Sequence, residues 1–213
     1  MNLGHIPDRI KHLPLDERGY PIPWFVAWFD GKPDFRVIDG EKLVRAVKQK
    51  LCWICGERMG QHLAFLIGPM CAINRTISEP PLHRECAEFS ARVCQFLSLP
   101  KKTRDEEAIP VGTQDAASVG LKRNPGAVCL WMTKSYRPFK VENGVLFEIG
   151  PPDEIHWYAH GRTATRAEVI ESIETGLPLL QDIATKESVL AEEELDRRYK
   201  NVMATLLPQE QHA

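Results

Sequence analysis

Two pairs of potential metal ligands constrain the fold of this chain more than any other feature. Cys52 and Cys55 form a Cys-x-x-Cys pair, and His83 and Cys86 form a His-x-x-Cys pair. Three thiolates and one imidazole suit a tetrahedral zinc ion. Gly56 follows the first pair, where a tight turn that directs N–H groups at a sulfur needs a residue without Cβ. Four protein ligands leave no open position for water or substrate, so we expect a structural Zn2+ ion.

The second ligand pair is predicted to lie in the first turn of a helix. Apolar residues recur at helical spacing from His83 until Pro100 ends the run. The N-terminal end of a helix favours an anionic thiolate. A cysteine turn, a strand over 61–67 and a helix that supplies the last two ligands follow one another in the order of a treble-clef zinc finger. The long separation of the two pairs predicts an inserted loop or hairpin over 64–79.

The rest of the chain predicts an α+β fold with antiparallel strands. Its composition, 43% hydrophobic and 26% charged over 213 residues, suits one elaborate soluble domain or two small ones. Segment 24–29 is predicted to form a hairpin with 35–38, and a helix follows over 41–50. We expect a treble-clef-like zinc-binding domain over 1–100, a linker or long loop over 101–126, and a small α+β domain over 127–213.

The third of these regions is predicted to contain a small antiparallel sheet packed with two C-terminal helices. Strands are expected at 127–132, 145–149 and 155–158. Thr165 and Glu168 have the spacing of a capping box, which predicts a helix that begins there and ends near Gly176. The second helix is predicted over 188–207, where Pro208 ends it.

Sequence features favour a cytoplasmic protein without a membrane segment. The N-terminus has no charged segment followed by an apolar one, so no signal peptide is predicted. The longest apolar run, 63–73, is interrupted by Gly68-Pro69 and is far shorter than the ~20 residues that a membrane span needs. Six cysteines without a secretion signal indicate a reducing compartment, where paired cysteines bind metal more often than they form disulfides.

Charge is distributed unevenly and favours a nucleic-acid partner. Residues 101–141 carry 8 Lys/Arg against 4 Asp/Glu, whereas residues 142–213 carry 6 against 14. Cations interleave with Trp131, Tyr136 and Phe139, and phosphate contacts beside stacking surfaces suit a nucleic-acid strand. The candidate contacts are Lys122, Arg123, Lys134, Arg137 and Lys140. The alternative is a hairpin whose basic residues face solvent while its aromatic residues lie in the core.

Other chemistry remains open as an alternative. Cys71 is the first substitute ligand if His83 does not bind the metal. A redox Cys-x-x-Cys site is disfavoured because no βαβ unit surrounds the motif. A metal-dependent hydrolase or nuclease related to the treble-clef HNH enzymes would use His62, Asn74 or His156 and His160 around a second ion. No Asp-His or His-His pair begins the finger, however, and we assign no catalytic residue.

Five segments resemble a family of uncharacterised bacterial and phage-encoded proteins. They are 23–28, 52–56, 68–75, 79–86 and 157–169. The resemblance implies a whole-chain family with the same four ligands, carried on mobile elements. Within it, Asn74 and Arg75 end an apolar loop beside the metal site and are candidates to face a ligand. We therefore expect a zinc-stabilised, non-enzymatic protein of bacterial or phage origin that contacts nucleic acid or a protein partner.

Overall fold

The fold is α+β, with antiparallel sheets and helices, and the computed structural model describes residues 3–98, 114–115, 126–142 and 144–209. The strands are β1 (Val26–Phe29), β2 (Lys32–Ile38), β3 (Leu63–Ile67), β4 (Thr76–Ile77), β5 (Gln114–Asp115), β6 (Val128–Thr133), β7 (Tyr136–Val141), β8 (Gly144–Ile149), β9 (Glu154–Ala159) and β10 (Arg162–Thr163). The helices are α1 (Gly40–Gln49), α2 (Pro69–Asn74), α3 (Arg84–Val93), α4 (Gln95–Ser98), α5 (Arg166–Glu187) and α6 (Val189–Thr205), after a 3-10 turn at Asp8–Ile10. None of these helices is long and apolar enough to cross a membrane.

Three antiparallel sheets connect distant parts of the chain. Their strand orders are β1-β2-β5, β10-β9-β6-β3 and β4-β8-β7. In the second sheet, β3 pairs with β6 so that Phe65 lies opposite Trp131. In the third sheet, β4 pairs with β8, and Ile77 lies opposite Phe147. Segments that flank the ligand pairs are therefore hydrogen-bonded to strands from the C-terminal half.

These pairings bear on the predicted domains. The boundaries at residues 100 and 126 stay a prediction, since most of the segment between them lies outside the described residues. Within the predicted linker, β5 pairs with β2. The regions 1–100 and 127–213 do not have separate sheets or separate cores, because strand pairs and one hydrophobic cluster include residues of both.

The core lies around β6, whose six residues are all buried. Both of its faces are covered, since successive side chains point to opposite faces and all six are buried; α3 and α2 both contact the strand. A strand covered on both faces has an unbroken apolar sequence rather than an alternating one. Phe65 of β3, Trp131 of β6 and Phe147 of β8 are among the largest fully buried side chains of the core. This core fixes the position of α3, which carries the second ligand pair.

Most predicted elements are confirmed. The N-terminal hairpin forms, although its turn is tighter than expected, with Asp30 and Gly31 at positive φ. The capping box at the start of α5 is present, with Thr165 accepting a hydrogen bond from the Glu168 amide and the Glu168 side chain accepting one from the Thr165 amide.

Three expectations about elements are wrong. Helix α5 does not end near Gly176 but continues to Glu187, with Pro178 inside it. Gly176 is buried, and Leu180 and Ala184 extend the buried face of the helix, so packing outweighs the two helix-breaking residues. The basic stretch before Gly144 is a strand, β7, rather than a connection. The predicted long helix after His83 is interrupted at Cys94, whose backbone is extended.

Candidate metal centre

The first ligand pair lies in a tight turn directly after α1. Leu51 and Arg58 form an isolated β-bridge that closes the turn at its base. Inside it, the Cys52 amide donates to the Glu57 carbonyl at 2.8 Å, and the Gly56 amide donates to the Cys52 carbonyl at 2.9 Å. Gly56 has φ of +75°, a conformation that glycine adopts without strain. The sequence thus fixes both sulfurs on one short, hydrogen-bonded loop.

The second ligand pair is positioned by β3 and by the start of α3. Leu82 and Ala64 exchange two backbone hydrogen bonds, at 2.7 and 2.9 Å, so the chain enters α3 beside β3. His83 is the N-cap residue of α3 and Cys86 lies in its first turn. The Trp53 amide also donates to the Pro81 carbonyl at 3.2 Å, which links the two ligand turns directly.

The four predicted ligands lie close together in the folded chain. The ligand atoms of Cys52, Cys55, His83 and Cys86 are all within 4.8 Å of one another, an arrangement that could hold a metal ion. Each of the three cysteines is at most 2% exposed. Cys55 and His83 are 28 positions apart in the sequence, and the folded chain presents three sulfurs and one ring nitrogen to the same point.

The orientation of His83 suits metal binding. Its Nδ1 faces the cluster, 3.3 Å from the Cys55 Sγ. Its Nε2 lies 3.2 Å from the Arg58 carbonyl oxygen, which accepts a hydrogen bond when Nε2 carries the proton. That bond leaves the Nδ1 lone pair directed at the sulfurs, which is how a histidine ligand is commonly oriented. Arg58 thus contributes to the site through its backbone, a role that the sequence pattern did not indicate.

Electrostatic interactions within the cluster favour a cation. Burial raises the pKa of the Cys52 thiol, but hydrogen bonds from Cys55, Cys86 and His83 outweigh it and hold that pKa far below its ordinary value. Hydrogen bonds to Cys52 and Cys55 raise the pKa of His83 to about 10. The same two cysteines raise the pKa of the Cys86 thiol strongly. Protons share this crowded site, and a divalent ion could replace them when all three sulfurs are thiolates.

The remaining cysteines lie outside the cluster. Among the described residues, the four predicted ligands form the only group of three or more His, Cys, Asp and Glu side chains that could hold a metal ion. Cys71 belongs to α2, and burial raises the pKa of its thiol to about 11. Burial also raises the pKa of the Cys129 thiol, which lies in β6. Neither is placed as a fifth or substitute ligand.

The residues named for a hydrolase do not meet at a second ion site. His156 Nε2 lies 2.5 Å from Glu154 Oε1, and Arg84 also pairs with that carboxylate. His160 lies 3.8 Å from Glu168. His62 lines a cavity of about 500 Å³ together with His83, Arg84 and Glu154, and neither His156 nor His160 is part of its lining.

The predicted nucleic-acid contacts are only partly described. Lys122 and Arg123 lie outside the described residues, whereas Lys134, Arg137 and Lys140 are exposed on or beside β7. Arg137 pairs with Glu148, and Lys134 lies 3.8 Å from Asp153. These carboxylates reduce the positive charge that the sequence indicated for this strand.

Two aromatic residues of that stretch belong to the core. Trp131 is 0% exposed. The Tyr136 ring packs against Phe65 and Phe147, with centroid separations of 5.8 and 5.9 Å. Phe139 is half-buried, with the Arg137 guanidinium 5.8 Å from its ring centroid. Trp131 and Tyr136 are therefore placed as in the alternative hairpin, with aromatic residues inward and basic residues outward.

Asn74 and Arg75 lie at the end of a helix, not on an apolar loop as expected. Residues 69–74 form α2, because Pro69 occupies its first position and suits a helix start. Asn74 Oδ1 accepts a hydrogen bond from the Thr76 amide at 2.9 Å. Arg75 lines a cleft that includes none of the four metal ligands. Arginines of α6 line the same cleft, and the only sequence signal for them was the Arg197-Arg198 pair within an acidic region.

Comparisons with known proteins found no match. The chain matches no protein-family model and no curated protein, and its structure matches no solved structure. The family resemblance and the bacterial or phage origin stay predictions. The function has to be argued from the geometry of the chain alone.

Proposed function

We propose that the protein is a zinc-stabilised, non-enzymatic binding protein built around a treble-clef-like finger. The observation that carries this proposal is the convergence of three buried sulfurs and His83 Nδ1 within 4.8 Å. Thiolate and imidazole ligands select zinc over magnesium or calcium, which prefer oxygen. The sequence order of cysteine turn, strand and helix, with the last two ligands at the helix start, supports the treble-clef assignment.

The metal has a structural role in this proposal. It would join the turn after α1 to the first turn of α3, and so enclose β3, α2 and β4 between its two ligand pairs. Four protein ligands complete a tetrahedral shell and leave no position for a reacting water. Because a structural zinc site forms only in the folded chain, its binding free energy adds to the stability of the fold.

A nucleic acid is the first candidate partner. Lys134, Arg137 and Lys140 are exposed, and β7 is an edge strand of its sheet. The segment 101–141 has a formal charge of 8 − 4 = +4. Exposed cations on one edge can contact successive phosphates without reading the base sequence.

A protein partner is the second candidate, and a different surface favours it. Large apolar side chains are exposed on both sides of the junction between α5 and α6. They are Leu179, Ile183, Val189 and Leu190, with exposures of 42%, 51%, 70% and 75%. A surface patch of large apolar side chains marks protein contacts more often than single exposed residues do, and these four residues are close together in the sequence.

Retention on a nucleic acid at increasing salt concentration tests the first candidate. Single- and double-stranded DNA and RNA should bind the wild-type chain at low salt and release it steeply as salt rises. The triple variant Lys134→Glu, Arg137→Glu, Lys140→Glu should lose most of this binding, and Lys186→Glu, an exposed cation on α5, should keep it. Equal binding by wild type and triple variant would refute the nucleic-acid surface. Binding by neither at low salt would leave the apolar junction as the candidate surface.

A further inference from the structure

A second candidate site is a cleft that contains none of the four metal ligands and is lined by charged side chains instead of sulfurs. It is a cleft of about 490 Å³ between the end of α2, the β7–β8 hairpin and α6. Its charged lining consists of Arg75, Arg137, Arg197, Arg198, Glu148 and Glu194. Four guanidinium groups against two carboxylates give a formal charge of 4 − 2 = +2. An excess of arginine in a concave site favours an anionic ligand.

Arg75 is the central residue of this cleft. Its guanidinium lies over the Trp131 ring, 4.9 Å from the centroid, and that ring is fully buried. The Trp131 indole N–H is held by the Gly150 carbonyl at 3.0 Å, so the ring beneath Arg75 is fixed. A guanidinium stacked on an immobile indole keeps its planar donors in one orientation.

The charge of Arg75 is not balanced by a carboxylate. Over the described parts of the chain, no acidic side chain pairs with its guanidinium and no acceptor takes a hydrogen bond from it, although guanidinium has five N–H donors. Burial, and then the nearby charge of Arg198, lower the pKa of Arg75. A half-buried cation beside a second cation is an unfavourable arrangement that a bound anion would relieve.

Arg198 is held in place beside Arg75. Its Nε donates to Glu194 Oε1 at 2.6 Å, and its Nη1 donates to the carbonyl of Asn74, the residue before Arg75. Arg198 thus joins α6 to the C-terminal end of α2. Arg137 and Arg197 are more exposed, each at 72% of the side chain, and lie at the rim.

We propose that this cleft binds a phosphate group, with Arg75 and Arg198 as the binding pair. A dianionic phosphate matches the charge excess of two, and planar guanidinium groups bind phosphate oxygens in pairs. The cleft is larger than inorganic phosphate, so the natural ligand carries the phosphate on a further group, either a small phosphomonoester or the end of a nucleic-acid strand. This inference goes beyond the proposed function, since it does not require the metal and shares only Arg137, at the rim of the cleft, with the β7 surface.

Calorimetric titration at low ionic strength tests this proposal. The probes are inorganic phosphate, adenosine 5′-monophosphate, adenosine, and a single-stranded oligonucleotide with and without a 5′-phosphate. We expect the phosphorylated probes to bind and adenosine not to bind. Equal affinity for the mononucleotide and the phosphorylated oligonucleotide identifies a small phosphomonoester as the ligand. Tighter binding of the phosphorylated oligonucleotide identifies a strand end.

Arginine variants decide whether the cleft is responsible. Arg75→Gln and Arg198→Gln should each weaken phosphate binding about tenfold or more, since each removes charged hydrogen bonds. Arg92→Gln is the matched control, because Arg92 also lies over a buried ring, that of Tyr158 at 5.9 Å, but does not line the cleft. Its affinity should equal that of wild type. If Arg75→Gln does not fold, Arg75→Lys and Arg198→Gln supply the test.

Three results would overturn the proposal. One is the absence of binding of every phosphorylated probe to folded wild-type protein at millimolar concentration. Another is unchanged affinity in both arginine variants. The third is an equal loss of affinity in Arg92→Gln.

Discussion

Replacement of Gly56 by alanine tests how tightly the first ligand turn is packed. Gly56 has φ of +75° directly after Cys55, and a Cβ added there would lie 2.7 to 2.9 Å from three ring atoms of Trp24. The Trp24 ring is itself held in place, because it packs edge-on against Trp53 and the Arg45 guanidinium lies 5.5 Å from its centroid. The indole therefore has to move, or the turn has to open.

Two terms set the size of the effect. Left-handed backbone costs a residue with a Cβ about 1 kcal/mol relative to glycine. Forcing an extra methyl group into a packed site costs a further 1–3 kcal/mol, roughly. We expect Gly56→Ala to lower the free energy of unfolding by about 2–4 kcal/mol, the sum of the two.

Urea unfolding with saturating zinc, followed by tryptophan fluorescence, measures this difference. Gly60→Ala is the matched control, because Gly60 is four residues away, is not at positive φ, and has no atom within 4 Å of the added Cβ. We expect the control to lie within about 1 kcal/mol of wild type. A Gly56→Ala protein as stable as the Gly60→Ala protein would refute the described packing of the ligand turn.

Three further predictions concern other parts of the fold. Hydrogen bonds from Arg162 hold the pKa of Glu168 at about 2, so its stabilisation is full above pH 4.5 and is lost as pH falls toward 2 and below. Urea unfolding should show wild type exceeding Glu168→Gln by about 1–2 kcal/mol at pH 6 and by only a small fraction of that at pH 2.5. Phe147→Ala should lower the unfolding free energy by about 3–5 kcal/mol, and thermal unfolding should show a much smaller loss for Phe35→Ala, since Phe147 is 0% and Phe35 41% exposed. Cys71→Ser should leave the zinc content unchanged, and loss of zinc in that variant would make Cys71 a ligand.

The ligand cluster was predictable because its signal is local. Each pair is two ligands with two residues between them, and the turn or the helix start fixes each pair by itself. The same applies to the capping box at Thr165, whose partners are three residues apart. Local hydrogen bonds of this kind depend little on the rest of the chain.

Long-range pairing was not predictable in the same way. The pairing of β3 with β6, which places Phe65 opposite Trp131, joins residues on opposite sides of the predicted linker. The hydrophobic pattern of each strand is equally compatible with other partner strands. Helix α5 continues beyond Pro178 because Leu180 extends its buried face. Helix propensity alone does not predict this effect of tertiary packing. The cleft around Arg75 and Arg198 is likewise long-range, because α2, the β7–β8 hairpin and α6 all contribute to its lining.

X-ray absorption at the zinc edge of the purified chain tests the central claim most directly. The account predicts about one zinc per chain with three sulfur ligands near 2.3 Å and one nitrogen ligand at about 2.0–2.1 Å. Cys55→Ser should lose the ion or replace one sulfur by an oxygen or nitrogen ligand. A chain purified without bound metal and unable to take up zinc, or a shell dominated by oxygen, would contradict the account.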